Sequence, residues 1–328
     1  MRAYETLTEA GRTRRLRTLA LAATAGYGFD TRSCVCAVHS YNTIFRVEAR
    51  TGARYALRVS PAVRVHPDGT ESAEVAWLAA LRDDGVATVP SAVASSDGSS
   101  VLDVEVKAVP EPRRCVLFEW ISGHVIGDRM TLDRARRIGI INGLLHEHAA
   151  TWVSTPPPDI PIGDRVLYWS LPSRLGELAP AHGSLIREAL DRAQRSVDDL
   201  WRDRSQAPRL LHGDLSPSNV MIRGGEAIAL DFQDLFWGFE HQDLAITINV
   251  LGLYPEPAPI LEAFRRGYRE VRRWPEMDPG RLDALIAARW LQQLNLGLNV
   301  RKAGLDAFVA RHVARLRAWM DGVGPTLP

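Results

Sequence analysis

The stretch that decides the fold reads Leu211-His-Gly-Asp-Leu-Ser-Pro-Ser-Asn219 and is followed by Leu230-Asp231-Phe232. Asp214 comes directly after a short apolar strand and opens a loop, which is an exposed position for a reactive carboxylate. Asp, Asn, Ser and Pro are also common in turns, so a capped turn without a chemical role is the alternative. The agreement of spacing, turn and residue types favours a reactive site.

A β-hairpin is predicted beside this loop, with strands at residues 219–223 and 227–232 joined by Gly224-Gly225. If the turn holds two residues, Asn219 lies opposite Leu230; if it holds three, Asn219 lies opposite Asp231. Either register brings the Asn219 amide and the Asp231 carboxylate to the same end of the ribbon, beside Asp214. Oxygen groups arranged in this way suit Mg²⁺ and the demands of phosphoryl transfer.

The hydrophobic pattern divides the chain into a strand-rich part and a helix-rich part. Short β-branched runs are predicted to be strands, and one helix is predicted among them at residues 70–81. From Leu132 onward the apolar residues follow helical spacing. Two lobes are therefore expected, with the join near residues 119–123. The proline-rich residues 155–161 form either a linker or a loop inside the second lobe.

Composition excludes several classes of protein. The 328 residues carry a formal charge of +1, whereas a dedicated nucleic-acid binder normally has a basic excess. No apolar run reaches the length of a membrane span. Lys107 and Lys302 are the only lysines, and neither follows a glycine, which excludes a Walker A loop. Three cysteines fit a reducing cytoplasm, and Cys34 and Cys36 have no second ligand pair that would predict a metal site.

The N-terminal region contains a short apolar run behind several arginines, which superficially resembles a signal peptide. However, Leu16, Leu19, Ala20 and Ala23 recur at helical spacing, and the run ends after about two turns. We therefore expect an amphipathic surface helix and a cytoplasmic protein.

Several segments resemble the aminoglycoside phosphotransferase family, whose members are relatives of protein kinases. Residues 212–219 with residues 229–232 are similar to the paired signature of that family. Residues 236–245 are similar to its glycine-containing segment, which ends in Asp-Leu-Ala. Residues 55–59, 74–78 and 117–123 resemble its third strand, lobe helix and hinge. The similarity covers most of the chain and looks closest to the homoserine-kinase-like and stress-kinase-like branches.

The resemblance implies a two-lobed α+β fold of the protein-kinase type. A nucleotide-binding lobe would occupy residues 1–118, and a catalytic and acceptor-binding lobe would occupy residues 119–328, with a hinge at about residues 117–123. The implied reaction is Mg²⁺-dependent transfer of the γ-phosphoryl group of ATP, or of GTP, to a hydroxyl of a small molecule.

The resemblance also assigns roles in the second lobe. Asp214 would be the catalytic base, Asn219 and Asp231 would hold Mg²⁺, and His212 and Asp243 would support them. Residues that follow the metal ligands could line the acceptor site, and these are Asp234 and Trp237. By contrast, His146 and His148 face apart on a helix, which favours a packing or surface role over a metal pair.

The first lobe departs from the kinase pattern at one position. Kinase-type sites usually place a lysine on the third strand and pair it with a glutamate of the lobe helix. Here that position is Arg58, and Glu74 lies on the otherwise apolar face of the predicted helix. A buried carboxylate needs a partner, and a guanidinium can bridge a carboxylate and a phosphate. We therefore predict an Arg58–Glu74 pair; the alternative is a surface arginine with an exposed Glu74 or Glu71.

Other groups of the first lobe are expected to contact the nucleotide. The phosphate-covering loop, residues 39–43, has no glycine but offers main-chain N–H groups and the side chains of Ser40 and Asn42. Main-chain groups near the hinge would receive the adenine, at Glu119, Trp120 and Ile121.

The acceptor is predicted only by class. Residues 232–328 contain eleven acidic and twelve basic side chains, so this region has no acidic excess that would attract a polycation. We therefore favour an amino alcohol, a sugar or another neutral or zwitterionic natural product, and antibiotic modification stays open. Two other classes also stay open: a stress-response protein serine/threonine kinase, and a nucleotide-binding pseudokinase that lost activity through the change to Arg58.

Overall fold

The computed structural model describes residues 3–300 and 303–323, so Lys302 lies outside the described residues. The chain forms two compact units. The first comprises Met1–Arg64, Glu71–Ala80 and Val89–Ser122, and the second comprises Val65–Thr70, Leu81–Thr88 and Gly123–Pro328. The proline-rich residues 155–161 are therefore a loop inside the second unit. In the described part of the chain, no helix is long and apolar enough to span a bilayer.

The first unit contains an antiparallel sheet of five strands: β1 (Thr31–His39), β2 (Thr43–Ala49), β3 (Arg54–Val59), β4 (Leu102–Val104) and β5 (Arg113–Glu119). Their order across the sheet is β1-β2-β3-β5-β4. Helix α1 (Glu9–Ala25) buries Leu16 and Leu19 in one core with Phe45 and Leu57 of the sheet. The predicted amphipathic helix is confirmed, and the alternating burial along β2 follows from its pleat.

Helix α2 (Thr70–Asp83) matches the helix predicted at residues 70–81. Its stripe of Glu74, Trp77, Leu78 and Leu81 is buried, as the i, i+3, i+4 and i+7 spacing predicts. A carboxylate on such a face requires a counter-charge, and Arg58 supplies it.

Helices build most of the second unit. They are α3 (Leu132–Trp152), α4 (Ala179–Arg202), α5 (Glu240–Leu251), α6 (Pro257–Arg269), α7 (Pro279–Val300) and α8 (Leu305–Met320). Glycines allow α3 and α6 to pack at very short range. A Cβ at Gly139 would lie 2.0 Å from the main-chain oxygen of Phe264, and a Cβ at Gly267 would lie 1.9 Å from that of Arg136.

Two small sheets position the chemistry of the second unit. Strand β7 (Arg209–Leu211) pairs with β10 (Phe236–Gly238), and β6 (His124–Val125), β8 (Val220–Arg223) and β9 (Glu226–Ala229) form the other sheet. Register pairs Val220 with Ala229 and Arg223 with Glu226, so the Gly224-Gly225 turn holds two residues. The main-chain N–H of Leu230 donates to the oxygen of Asn219. Of the two registers left open, the one with Asn219 opposite Leu230 is present.

The predicted strand ends are wrong by a few residues. Asn219 lies in a 3-10 turn, Pro217–Asn219, because Ser-Pro-Ser favours a turn over an extended strand. Strand β9 ends at Ala229, and a second 3-10 turn, Phe232–Asp234, begins after Asp231. The predicted strand at residues 227–232 is therefore too long, because left-handed backbone at Asp231 ends the extended run.

Candidate active site

The loop after β7 is in direct contact with the turn that follows the hairpin. Gly213 has a φ of +80°, and a Cβ at this position would lie 2.0 Å from the main-chain oxygen of Asp234. A side chain would therefore be both strained and in collision. The glycine allows the next residue, Asp214, to lie beside the turn that carries Asp234.

Asn219 orients the carboxylate of Asp214. The Asn219 side-chain Nδ2 donates to Oδ2 of Asp214 at 2.8 Å and to its main-chain oxygen at 2.9 Å. The Asp214 side chain is 28% exposed. Burial raises the pKa of Asp214 to about 6, the nearby Asp234 carboxylate acts in the same direction, and Arg289 opposes both. The group is thus a partly accessible carboxylate that is ionised at neutral pH.

Asp231 holds an uncommon backbone conformation. Its φ and ψ are 57° and 68°, which is the left-handed region that a residue with a side chain seldom adopts, although Asp tolerates it better than most. Its side chain is exposed. Such a conformation costs about 1–3 kcal/mol and is typical of functional sites. The turn leaves the carboxylate at the solvent-facing end of the hairpin, the same end as Asn219.

His212 connects the loop that carries Asp214 to the end of the hairpin. The ring is buried, its Nδ1 accepts from the main-chain N–H of Asp214 at 3.2 Å, and its Nε2 lies 3.1 Å from the main-chain oxygen of Leu230. Because Nδ1 accepts, Nε2 carries the proton and donates. Burial lowers the pKa of His212 below its ordinary value, which keeps the ring neutral in this role.

Asp243 supports the loop through a buried network. Its Oδ1 accepts from the main-chain N–H of Gly213 at 2.8 Å, and its Oδ2 lies 2.9 Å from Nε2 of His146. The other ring nitrogen of His146 lies 3.0 Å from the hydroxyl of Tyr268. Burial alone would raise the pKa of Asp243, but the hydrogen bond and charge of His146, together with smaller contributions from His212 and the Gly213 N–H, outweigh it and lower the pKa. His146 is therefore part of the support of the site, a role that its sequence context did not indicate, whereas His148 pairs with Asp84.

In the first unit, Arg58 and Glu74 form the predicted ion pair. Nη1 of Arg58 donates to Oε1 of Glu74 at 2.8 Å, and Nη2 donates to Oε2 at 2.5 Å. The guanidinium also lies over the ring of Phe118, 5.4 Å from its centroid. Both partners are buried, and the alternative of a surface arginine with an exposed glutamate is wrong. Glu71 is buried as well, and it pairs with Arg114 at 2.8 Å.

The other nucleotide residues predicted for the first unit lie at its strand ends. Ser40 is exposed in the β1–β2 turn, where its N–H donates to the main-chain oxygen of Asn42, a buried residue. The N–H of Glu119 donates to Ser91 and that of Trp120 donates to Arg54, so these two donors are occupied within the unit. Ile121 follows them and is half-buried.

Comparison with known proteins identifies the family of this chain. The sequence profile of the family described as "Phosphotransferase enzyme family" matches residues 38–280, about three quarters of the chain. The chain belongs to the phosphotransferase enzyme family. This phosphotransferase is therefore an enzyme that transfers a phosphoryl group from ATP to an alcohol group. None of the curated proteins matches it in sequence.

Solved structures share the fold over nearly the whole length of this phosphotransferase. An amicoumacin kinase, solved in complex with AMP-PNP, Ca²⁺ and Ami, has a TM-score of 0.75 at 16% identity, with 97% of this chain and 98% of that chain covered. A microcompartment-associated aminopropanol kinase has a TM-score of 0.72 at 25% identity, with 95% and 99% covered. A spectinomycin phosphotransferase has a TM-score of 0.55 at 11% identity, with 93% and 98% covered.

Arg289 of this phosphotransferase lies in the site, and the sequence did not single it out. It comes from α7, is buried, and its Nη2 donates to Oδ1 of Asp214 at 3.3 Å. The same nitrogen lies 3.5 Å from Oδ2 of Asp234, whose other oxygen lies 2.9 Å from Nε2 of His66. Asp234 therefore shares Arg289 with Asp214, and two basic side chains contact it; its role towards the acceptor stays a prediction. Trp237 is buried in β10, where its main chain bonds to Pro161 and Gly163.

Proposed function

We propose that Asp214 is the base that accepts the proton of the acceptor hydroxyl while the γ-phosphoryl group of ATP is transferred. The observation that carries this proposal is the pair of contacts on its carboxylate: Asn219 binds one oxygen and Arg289 binds the other. These contacts fix the plane of the carboxylate, and each oxygen keeps a further lone pair for a hydroxyl. A pKa of about 6 leaves the group ionised but able to take a proton near neutrality.

The residues beside Asp214 fit a magnesium ion. Among the described residues, no group of three or more His, Cys, Asp and Glu side chains could enclose a cation by itself. Mg²⁺ does not need such a group, because it takes one or two protein oxygens and completes its shell with water and phosphate. The Asn219 amide donates its N–H groups to Asp214, so its carbonyl oxygen and the Asp231 carboxylate would hold the ion. Mg²⁺ supplies neutralisation of charge on the phosphate oxygens.

In the first unit, we propose that Arg58 takes the place of the usual lysine on the nucleotide phosphates. Glu74 binds two nitrogens of the guanidinium and so sets its orientation. Ser40 and Asn42 would approach the phosphates from the β1–β2 turn. Since the N–H groups of Glu119 and Trp120 have partners, the main chain of Ile121 is the better candidate for the adenine edge. The nucleotide would thus belong to residues 1–118 and the first hinge residues.

For the acceptor, we propose a small amino alcohol bound by the second lobe, residues 119–328. The local charges support this choice: Asp214 and Asp234 carry two negative charges, and Arg289 carries one positive charge between them. These three groups sum to one negative charge, which matches one ammonium group better than a polycation. Of the three structures above, the aminopropanol kinase has the highest sequence identity to this chain, and its name says that it acts on such a compound.

The proposal is tested with an acceptor screen read out by ADP formation. The purified protein is incubated with Mg²⁺ and either ATP or GTP, and the panel contains 1-amino-2-propanol, ethanolamine, homoserine, simple sugars and an aminoglycoside. Faster ADP formation with an amino alcohol, lost in Asp214→Asn and kept in Asp191→Asn on the exposed face of α4, is the expected result. Full turnover in Asp214→Asn contradicts its role as base. Nucleotide binding without turnover on any acceptor favours a pseudokinase, and phosphorylation of added protein favours a protein kinase.

A further inference from the structure

The guanidinium of Arg289 has protein contacts on three sides. Its Nη1 donates to Oε1 of Gln292, one turn further along α7, at 2.8 Å. Its guanidinium lies over the ring of Trp169, 4.9 Å from the centroid. The remaining terminal nitrogen, Nη2, is the one that reaches Asp214 and Asp234. The packing therefore leaves Nη2 pointing at the two carboxylates.

The charges explain why a guanidinium is needed at this point. Gly213 lies close to the main chain of Asp234, and one nitrogen of Arg289 lies 3.3 Å from Asp214 and 3.5 Å from Asp234, so the two carboxylates are near each other. Like charges this close repel, and the repulsion is strong where water is scarce. Burial alone would lower the pKa of Arg289, but Asp214 and the other nearby groups outweigh it and keep the guanidinium charged. Arg289 therefore stays positively charged and offsets the charge of one of the two carboxylates.

Stability alone does not account for this residue. Helix α7 is anchored by apolar side chains on both sides of Arg289, including Ile286, Trp290 and Leu294. Replacing a buried ion pair by apolar groups of similar volume is often neutral or stabilising. The distinctive effect of the arginine is the orientation of what it touches, and what it touches is the carboxylate of Asp214.

We propose that Arg289 is a positioning residue of this phosphotransferase: by bridging Asp214 and Asp234, it fixes the carboxylate of Asp214 in the orientation that receives the acceptor hydroxyl. The proposal rests on the proposed function of Asp214 as base. Asn219 fixes that carboxylate from the hairpin, and Arg289 fixes it from α7. With either partner removed, the carboxylate keeps one side-chain hydrogen bond, about which it can rotate. Asp234 acts as the second anchor of the bridge, and His66 holds Asp234 in turn.

A lysine is expected to replace this arginine only in part. The ammonium group of a lysine is compact and lacks the planar fork of a guanidinium. It therefore cannot contact Gln292 and both carboxylates in the geometry that Arg289 uses. The lysine does keep a positive charge between Asp214 and Asp234. Arg289→Lys therefore separates the effect of charge from the effect of orientation.

The test compares Arg289→Met, Arg289→Lys and Asp214→Asn with the parent. Arg317→Met, an exposed arginine of α8, is the matched control. ADP formation is followed with saturating 1-amino-2-propanol and, in parallel, with water as the sole acceptor. We expect Arg289→Met to lower kcat by about 100-fold, as for a misplacement of about 1 Å, with KM for ATP changed less than about threefold. Arg289→Lys should recover about tenfold of this loss.

The double variant Asp214→Asn with Arg289→Met decides whether Arg289 acts through Asp214. If it does, the second change causes no further loss in the Asp214→Asn background. Losses that multiply, or a parent-like kcat in a folded Arg289→Met protein, overturn the positioning role. Thermal unfolding shows which variants are folded; if Arg289→Met is not, Arg289→Lys with the same double comparison gives the answer. A parent-like rate in Asp214→Asn alone contradicts the proposed base instead, whatever Arg289 does.

Discussion

Arg58 and Glu74 form a bidentate ion pair between strand β3 and helix α2 of the first unit, with both side chains buried. We expect Arg58→Ala to lower kcat/KM for ATP by about 100-fold, because an oriented cation on the phosphates is lost. Arg58→Lys should retain part of the activity, since it keeps the charge but not the fork. The measurement is ADP formation as a function of ATP concentration.

Controls for this prediction come from the neighbouring strand and from the partner. Arg46 is exposed on β2, and Arg46→Ala should leave kcat/KM for ATP unchanged. Glu74→Gln should weaken ATP use in the same direction as Arg58→Ala, because the guanidinium loses its orienting partner. Removing one member of a buried pair costs about 3–5 kcal/mol, so the folded fraction is measured by circular dichroism first. Activity equal to that of the parent in a folded Arg58→Ala protein is the contrary result.

Local pattern was enough to predict much of the fold. Alternation in strands such as β2 and the apolar stripe of α2 placed the core faces, and the buried position of Glu74 on that stripe already required a partner. The Gly-Gly turn limited the hairpin to two registers. Choosing between them required a main-chain hydrogen bond from Leu230 to Asn219, which depends on how tightly the turn closes.

The groups that long-range packing brings to the site could not be predicted in this way. Arg289 lies 75 positions after Asp214, on a helix whose apolar periodicity gives no sign of a charge partner. His146 precedes Asp243 by 97 positions and was interpreted as a packing or surface residue. Their partners are decided by which helices pack against the loop after β7, and periodicity carries no information about that choice. A buried histidine or arginine on an apolar helix face is the one signal that could have indicated them.

Asp231 allows a clean test of the metal assignment. Asparagine tolerates left-handed backbone about as well as aspartate, so Asp231→Asn should keep the turn and remove only the charge. We expect Mg²⁺-dependent ADP formation to fall by at least about 100-fold, since charge on the phosphates is no longer neutralised. Adding EDTA to the parent should abolish turnover, and excess Mg²⁺ should restore it. The assignment is wrong if the Mg²⁺ concentration needed for half-maximal rate is the same in Asp231→Asn as in the parent.

Asp243 is expected to make stability depend on acidity. Its pKa in the folded protein lies below the ordinary 3.8, so its contribution is fully present above that pH and is lost as the pH falls through the lower folded value. Asp243→Asn should therefore lower the free energy of unfolding by about 3 kcal/mol at pH 7, because His146 and Gly213 lose a buried acceptor. Urea denaturation at pH 7 and at pH 3 measures the difference between the two proteins. A difference that does not shrink at pH 3 contradicts the assignment.

Gly213 is predicted to be sensitive for two separable reasons, and a second glycine separates them. Gly52 has a φ of +89° with no atom within 4 Å of an added Cβ, whereas Gly213 has a φ of +80° and a Cβ there would collide with the main chain of Asp234. Gly52→Ala should therefore cost only the left-handed strain of about 1 kcal/mol and leave kcat unchanged. Gly213→Ala should cost more than about 2 kcal/mol and lower kcat as well, because Asp214 must move away from Asp234. Chemical denaturation and ADP formation measure both effects, and equal losses in the two variants would show that the close approach of the two loops carries no function.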